Sequence, residues 1–164
     1  WQEAIGDRAI VLSRGIGNST TADLLDRWEQ DTQGAEVVII LTGVNDVARE
    51  VDAATILQNF EALHQRAVED GIIPIFSTIM PSDTSQGAGL AVVERVNAEL
   101  LSRQDWLVID LHSAMEDPTN PGYLRREEIV RDGSAHPNRA GYEHMAQMVR
   151  EWWLAHEIDL TTRP

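Results

Sequence analysis

The sequence predicts a doubly wound α/β domain built on a parallel sheet. Two observations carry this. Four apolar runs of strand length are rich in β-branched residues, as strands covered on both faces are, and the segments between them repeat their apolar residues at helical spacing. Their alternation implies right-handed crossovers, which put helices on both faces of the sheet.

In chain order, "AIVLS" (9–13) reads as the first strand and Thr20 to Gln30 as the helix after it. "EVVIILTG" (36–43) is the second strand. The next helix is the clearest, with Ala53, Ile56, Leu57, Phe60, Leu63, Ala67 and Val68 recurring at three and four with charge between them. "IIPIFSTI" (72–79) and "WLVIDLH" (106–112) are the remaining strands, separated by a helix over Leu90 to Leu101. A last helix over Arg139 to Trp153 carries Met145, Met148, Val149 and Trp152 on one stripe. Segments 80–89 and 116–138 are the most loop-like, and no repeat or linker interrupts residues 1–164, which read as a single domain.

Composition narrows the partners. At 164 residues one core suffices, because folding at this size buries roughly 70% of the unfolded chain's surface. A formal charge of −14 repels phosphate backbones and anionic headgroups, which argues against nucleic acid and membrane surfaces as main partners and leaves neutral substrates. With no cysteine there is no thiolate chemistry, and no apolar run reaches the roughly 18 residues of a membrane span. The five histidines lack zinc-type spacing, so no metal is expected. Localisation stays open.

Ligands of such folds bind outside the carboxyl ends of the strands. "SRGIGNST" (13–20), "LTGVNDVAR" (41–49), "STIMPSD" (77–83) and "DLHSAM" (110–115) all follow strands, and "DGSAHPNRAGY" (132–142) leads into the last helix. The first of these lacks the third glycine of a dinucleotide fingerprint and the lysine of a P-loop, so Gly15 and Gly17 either shape a turn or present backbone amides. Asn45 is a side-chain amide that can face developing negative charge; alternatively Asn45 or Asp46 caps the next helix. Asp132 and His136 form either a helix-entry loop or a general-base pair. His112 and Asp110 end a strand near these loops, where they either serve the structure or touch substrate, with the structural role favoured, while His64, His144 and His156 read as solvated.

Taken together, "RGIGNSTTADLL", "LTGVND" and "DGSAHPNRAGY" resemble, in that order and at those strand ends, the SGNH family of serine hydrolases, also called GDSL esterases. The likeness covers almost the entire chain, including "VNAEL", "VIDLHSAM" and "GYLRRE". It implies a flavodoxin-like three-layer α/β/α fold and hydrolysis of carboxylic esters or thioesters through an acyl-enzyme. Carried over by position, Asn45 matches the oxyanion asparagine, His136 the general base and Asp132 the acid that orients it. The backbone amide of Asn18 falls where the family has a glycine donor. A non-catalytic binding module on the same fold and a carbohydrate O-deacetylase are the alternative readings.

Three departures matter. Asn18 replaces the usual glycine, so the orientation of its amide depends on whether a side-chain-bearing residue can take the same backbone angles. Three residues separate Asp132 from His136 where the family has two. And the chain contains no Gly-Asp-Ser: "GDR" at 6–8 has the wrong third residue and precedes a strand. The nucleophile is therefore expected upstream of Trp1, with Ser13, Ser19, Ser113 and Ser134 as weaker substitutes. The strand that carries this serine in the family is central, so a chain without it leaves the edges of two neighbours unpaired. Each buried unsatisfied group costs about 1–3 kcal/mol against a whole-domain stability of roughly 5–15 kcal/mol, so an upstream segment, a strand donated by another chain or a rebuilt sheet is expected.

Overall fold

The computed structural model describes residues 10–83, 85–130, 136–156 and 158. Helices α1 (Thr21–Asp26) and α2 (Trp28–Thr32) lead into β1 (Val37–Ile40), followed by α3 (Val44–Ala48) and the long α4 (Ala53–Glu69). Then come β2 (Ile73–Ser77), α5 (Ala88–Ser102), β3 (Leu107–Ile109), α6 (Leu111–Met115), a 3₁₀ turn (Arg126–Glu128) and α7 (Arg139–Ala155). The strands form one parallel sheet in the order β1-β2-β3, with Val37 opposite Ile73 and Ile75 opposite Leu107.

Alternation along each strand sends successive side chains to opposite faces. Phe76 and Ile40 join Ile56, Phe60 and Leu63 of α4 and Val93, Val96 and Leu100 of α5 in one core. Ile75 and Ile109 face the other way, onto Met145 and Val149 of α7 and Leu111 and Met115 of α6. The chain is thus a helix–sheet–helix sandwich, and each fully buried Leu, Ile or Phe contributes about 1.5–3 kcal/mol through loss of water contact.

Helix ends follow local chemistry. Asp52 caps α4 by accepting from the Thr55 N–H at 3.0 Å. At its other end Gly71, at φ 66°, turns the chain so that the Ile72 and Gly71 amides bond to the carbonyls of Ala67 and Val68, and β2 follows at once. On α7, Trp152 reaches back to donate its indole N–H to the Val108 carbonyl at 2.9 Å, tying the predicted stripe to β3.

One expected strand does not form. Residues 10–16 are without regular structure, and Ile10 and Leu12 are 88% and 63% exposed. The reason is the ladder itself: in the expected order a further strand lies between 9–13 and β1, and no described residue occupies that position. A β-branched run without a hydrogen-bonding neighbour has nothing to hold it extended. The same gap leaves β1 as an edge among the described residues, with Val37, Val38 and Ile39 only half-buried.

Candidate active site

The loops that follow β1, β2 and β3 open at one edge of the sheet, because the three strands run parallel, and the Asn18 loop is hydrogen-bonded to the first of them. The loop before α1 is shaped by its cap. Thr20 accepts from the Asp23 N–H, while Asp23 accepts from the Thr20 N–H at 2.8 Å, a reciprocal capping box that fixes where the helix begins. These hydrogen bonds to Thr20, backbone first, hold the Asp23 carboxyl below the usual carboxylate range, with smaller help from Arg49 and Arg27.

Two residues before this cap, Asn18 has φ 64°, the left-handed region that glycine enters freely and that asparagine tolerates better than most residues. The replacement of glycine by asparagine therefore keeps a backbone conformation open to both. The Asn18 carbonyl accepts from Arg49 at 2.9 Å, and Arg49 also pairs with Asp23 at 3.6 Å.

The second loop closes on the first. Gly43 sits at φ 101°, and a Cβ there would lie 2.7 Å from two carbons of Ile79, so both the turn and the packing require glycine. That turn starts α3 and presents Asn45, whose Nδ2 donates to the Ser19 carbonyl at 3.0 Å. One of the two amide N–H groups is thereby used to orient the side chain, and an amide nitrogen carries two.

Asp46, next along, is 1% exposed and does not cap the helix it belongs to. Its carboxylate reaches 25 residues back to accept from the Thr21 backbone N–H at 2.9 Å and from the Thr21 hydroxyl, to which Asn59 also donates at 2.8 Å. Asp46 thus holds the first loop against the second. The sequence raised Asp46 only as a cap for the next helix, which Asp52 caps instead. The Thr-x-x-Asp pattern at 20–23 was a usable signal for the start of α1, but nothing local pointed from Asp46 to Thr21.

The third and fourth loops are locked by buried polar pairs. On α5, the buried Asn97 side chain accepts from the Ile79 N–H at 2.7 Å and donates to the Ile79 carbonyl at 2.9 Å. Asp110 caps α6 through the Ser113 N–H, and Thr78 bridges the two loops by donating to Asp110 and accepting from the His112 N–H. The His112 ring is within 2.9 Å of the Ile79 carbonyl. Both residues have the structural part expected of them.

His136 is exposed on the loop before α7. Its carbonyl accepts from the Val130 N–H at 3.1 Å, and its neighbour Pro137 bridges to Ile129. Asn138 caps α7, accepts its N-terminal amide from Gly141, donates its backbone N–H to the Glu128 carbonyl at 2.7 Å and its side-chain amide to the carbonyls of Glu127 and Ile129. Gly141 makes the approach possible, since a Cβ there would lie 2.5 Å from the Glu128 carbonyl. Asp132 and Ser134 lie outside the described residues, as does the "GDR" at 6–8. The structure therefore ties Asn45 to the loop of Asn18 and Ser19, while His136 is held by the backbone of residues 129–130 at the entry to α7. Ser19 accepts from Arg27 at 2.9 Å through its hydroxyl.

Two of the other histidines correct the sequence reading. His64 stacks on Trp106, with ring centres 4.5 Å apart, over an apolar surface that the charged helix sequence conceals. His144 lies 3.0 Å from the Glu128 carboxylate, pinning the 3₁₀ turn to α7. His156 is exposed, as expected, and lies against Trp152.

A parallel α/β sandwich whose strand-end loops are tied to one another belongs to the α/β proteins, which build their sites from edge loops. More narrowly, the chain belongs to the GDSL-like lipase/acylhydrolase family, whose profile matches residues 1–144. Similar folds include a protein assigned to the G-D-S-L lipolytic family from Desulfitobacterium hafniense DCB-2 (TM-score 0.77, 22% identity, 92% of this chain and 83% of that one). A lipase/acylhydrolase from Enterococcus faecalis is also similar (TM-score 0.68, 22% identity, 85% and 72%), as is the acetyl xylan esterase AlAXEase (TM-score 0.69, 22% identity, 96% and 85%). At these identities the likeness is one of fold. No curated protein matches the chain.

Proposed function

We propose that this chain forms most of a serine ester hydrolase, acting on carboxylic esters or thioesters, whose nucleophile comes from outside residues 1–164. A serine Oγ bonds to the acyl carbon as its proton passes to His136. The imidazolium, oriented by Asp132, returns that proton to the leaving alkoxide. Water then repeats the sequence and releases the acid. The Asn45 amide, with the Asn18 backbone N–H and the amide of the serine itself, receives the oxyanion. No cofactor or metal is called on.

The observation that supports this reading most is the hydrogen bond from Asn45 to Ser19, which fixes two of the donors relative to each other. A strand bearing the serine would pair with the open edge of β1 and would supply the neighbour that segment 9–13 needs. An O-deacetylase is a narrower form of the same proposal, favoured by the fold likeness to an acetyl xylan esterase.

The test is labelling by a fluorophosphonate probe, read by mass spectrometry of the labelled peptide. Residues 1–164 alone should not label and should not release p-nitrophenol from short acyl esters, since loss of the serine costs such a hydrolase on the order of 10⁶-fold. A protein that also carries the upstream segment should label at one serine outside residues 1–164. Labelling of Ser13, Ser19, Ser113 or Ser134 would relocate the nucleophile, and a folded longer protein that does not label would favour a non-catalytic binding module.

A further inference from the structure

Three side chains from one short helix reach the loop in front of α1. Asn45 and Asp46 of α3 hold the Ser19 carbonyl and the Thr21 N–H, and Arg49, the residue that ends α3, donates to the Asn18 carbonyl at 2.9 Å. Arg49 is itself fixed. Its backbone N–H is shared between the carbonyls of Asn45 and Asp46 at 3.1 Å, and Glu50 turns the chain away directly after it at φ 59°. Asn45 and Arg49 are four positions apart, so they leave the helix on one face and grip two consecutive carbonyls of the loop.

The grip bears on one peptide N–H. The Ser19 N–H turns back to the Ile16 carbonyl at 3.4 Å, closing a four-residue turn whose third position is the left-handed Asn18. Among the described residues no group accepts from the Asn18 N–H. Its direction follows the dihedral angles of the turn, and a side-chain-bearing residue keeps a left-handed conformation where the surroundings over-determine it.

We infer that Arg49 is a positioning residue for ester hydrolysis, whose guanidinium, spanning the Asn18 carbonyl and the Asp23 carboxylate, holds the turn and so aims the Asn18 N–H at the oxyanion; this rests on the hydrolase reading and adds a residue to it. Arg49 is more than half exposed and lies 3.6 Å from Asp23. Exposed pairs of that kind contribute little to stability, so what the residue supplies is orientation. Arginine suits the place because one planar fork meets both acceptors from fixed directions, whereas a lysine ammonium is a point charge on a flexible stem.

The experiment is steady-state hydrolysis of p-nitrophenyl acetate by the serine-bearing protein and by its Arg49→Ala and Arg49→Lys variants, with thermal melts on the same samples. A misaimed oxyanion donor weakens the transition state more than the ground state. Arg49→Ala should therefore lower kcat about tenfold to a hundredfold, with KM within about twofold of the parent's and the melting temperature nearly unchanged. Arg49→Lys should not restore kcat. Parental kcat in either variant, a rise in KM alone, or a loss of activity that only tracks a lowered melting temperature would overturn the inference, while turnover by the parent keeps the hydrolase reading. A parent that folds without turnover sinks the hydrolase reading, and the role of Arg49 falls with it.

Discussion

Asn45 donates to the Ser19 carbonyl at 3.0 Å, so an amide that follows β1 is held by a loop 26 residues earlier in the chain. The bond gives that side chain one orientation before any substrate arrives, the condition under which a hydrogen-bond donor stabilises developing charge without reorganising.

Replacing Asn45 by Ala in the serine-bearing protein should therefore lower turnover on the order of 10²–10³-fold, as loss of one oxyanion donor does, while the melting temperature changes little. Steady-state kinetics and a thermal melt on the same sample check this. A large drop in melting temperature with intact turnover would make Asn45 a turn residue only.

Asp46→Ala should behave in the opposite way. It leaves the Thr21 N–H and hydroxyl without their buried acceptor, at a cost of about 1–3 kcal/mol for each unsatisfied group. Urea unfolding should show a loss clearly larger than that of Asn45→Ala, and any activity should fall with the folded fraction.

Asn97→Ala removes both hydrogen bonds to the backbone of Ile79 in a buried setting. A loss of about 2–5 kcal/mol is expected from two orphaned backbone groups and the cavity left behind. Asn97→Asp keeps the acceptor for the Ile79 N–H but puts a second acceptor against its carbonyl, so it should not rescue stability. Denaturant unfolding of both variants is the measurement.

Gly141→Ala drives a methyl group to within 2.5 Å of the Glu128 carbonyl and 2.8 Å of Pro137 Cβ. Backbone cannot yield as a flexible side chain can, so a destabilisation of about 1–3 kcal/mol is expected, with hydrogen exchange rising first around residues 126–141. Exchange that rises evenly over the molecule instead would show that the contact does not anchor the His136 loop.

Acid should expose the capping carboxylates. Asp23, Asp52 and Asp117 are all held below the ordinary value of 3.8, chiefly by bonds from Thr20, Thr55 and Thr119. A lowered folded-state pKa gives stability that is present above 3.8 and is lost as the pH falls through the folded values beneath it. Asp23→Asn should thus be less stable than the parent at pH 6, and the two should converge toward pH 2. Thermal melts across that range would contradict the assignment if the gap stayed constant.

The sequence by itself determined the class of fold and most of its elements. Apolar spacing placed α4, α5 and α7 to within a few residues, because a helix buries one stripe and that stripe repeats every three to four positions. Runs of β-branched residues marked β1, β2 and β3 for a similarly local reason, and motif order named Asn18, Asn45, Asp132 and His136. What only the tertiary structure decided was which distant groups meet. Asp46 holds Thr21, Asn97 holds Ile79, and His144 pairs with Glu128, contacts that depend on how crossovers stack helices on a sheet and leave no mark in local periodicity. The segment 9–13 shows the limit from the other side: its residues favour a strand, yet a strand exists only where a neighbour completes its ladder, and that neighbour is a property of the assembled sheet.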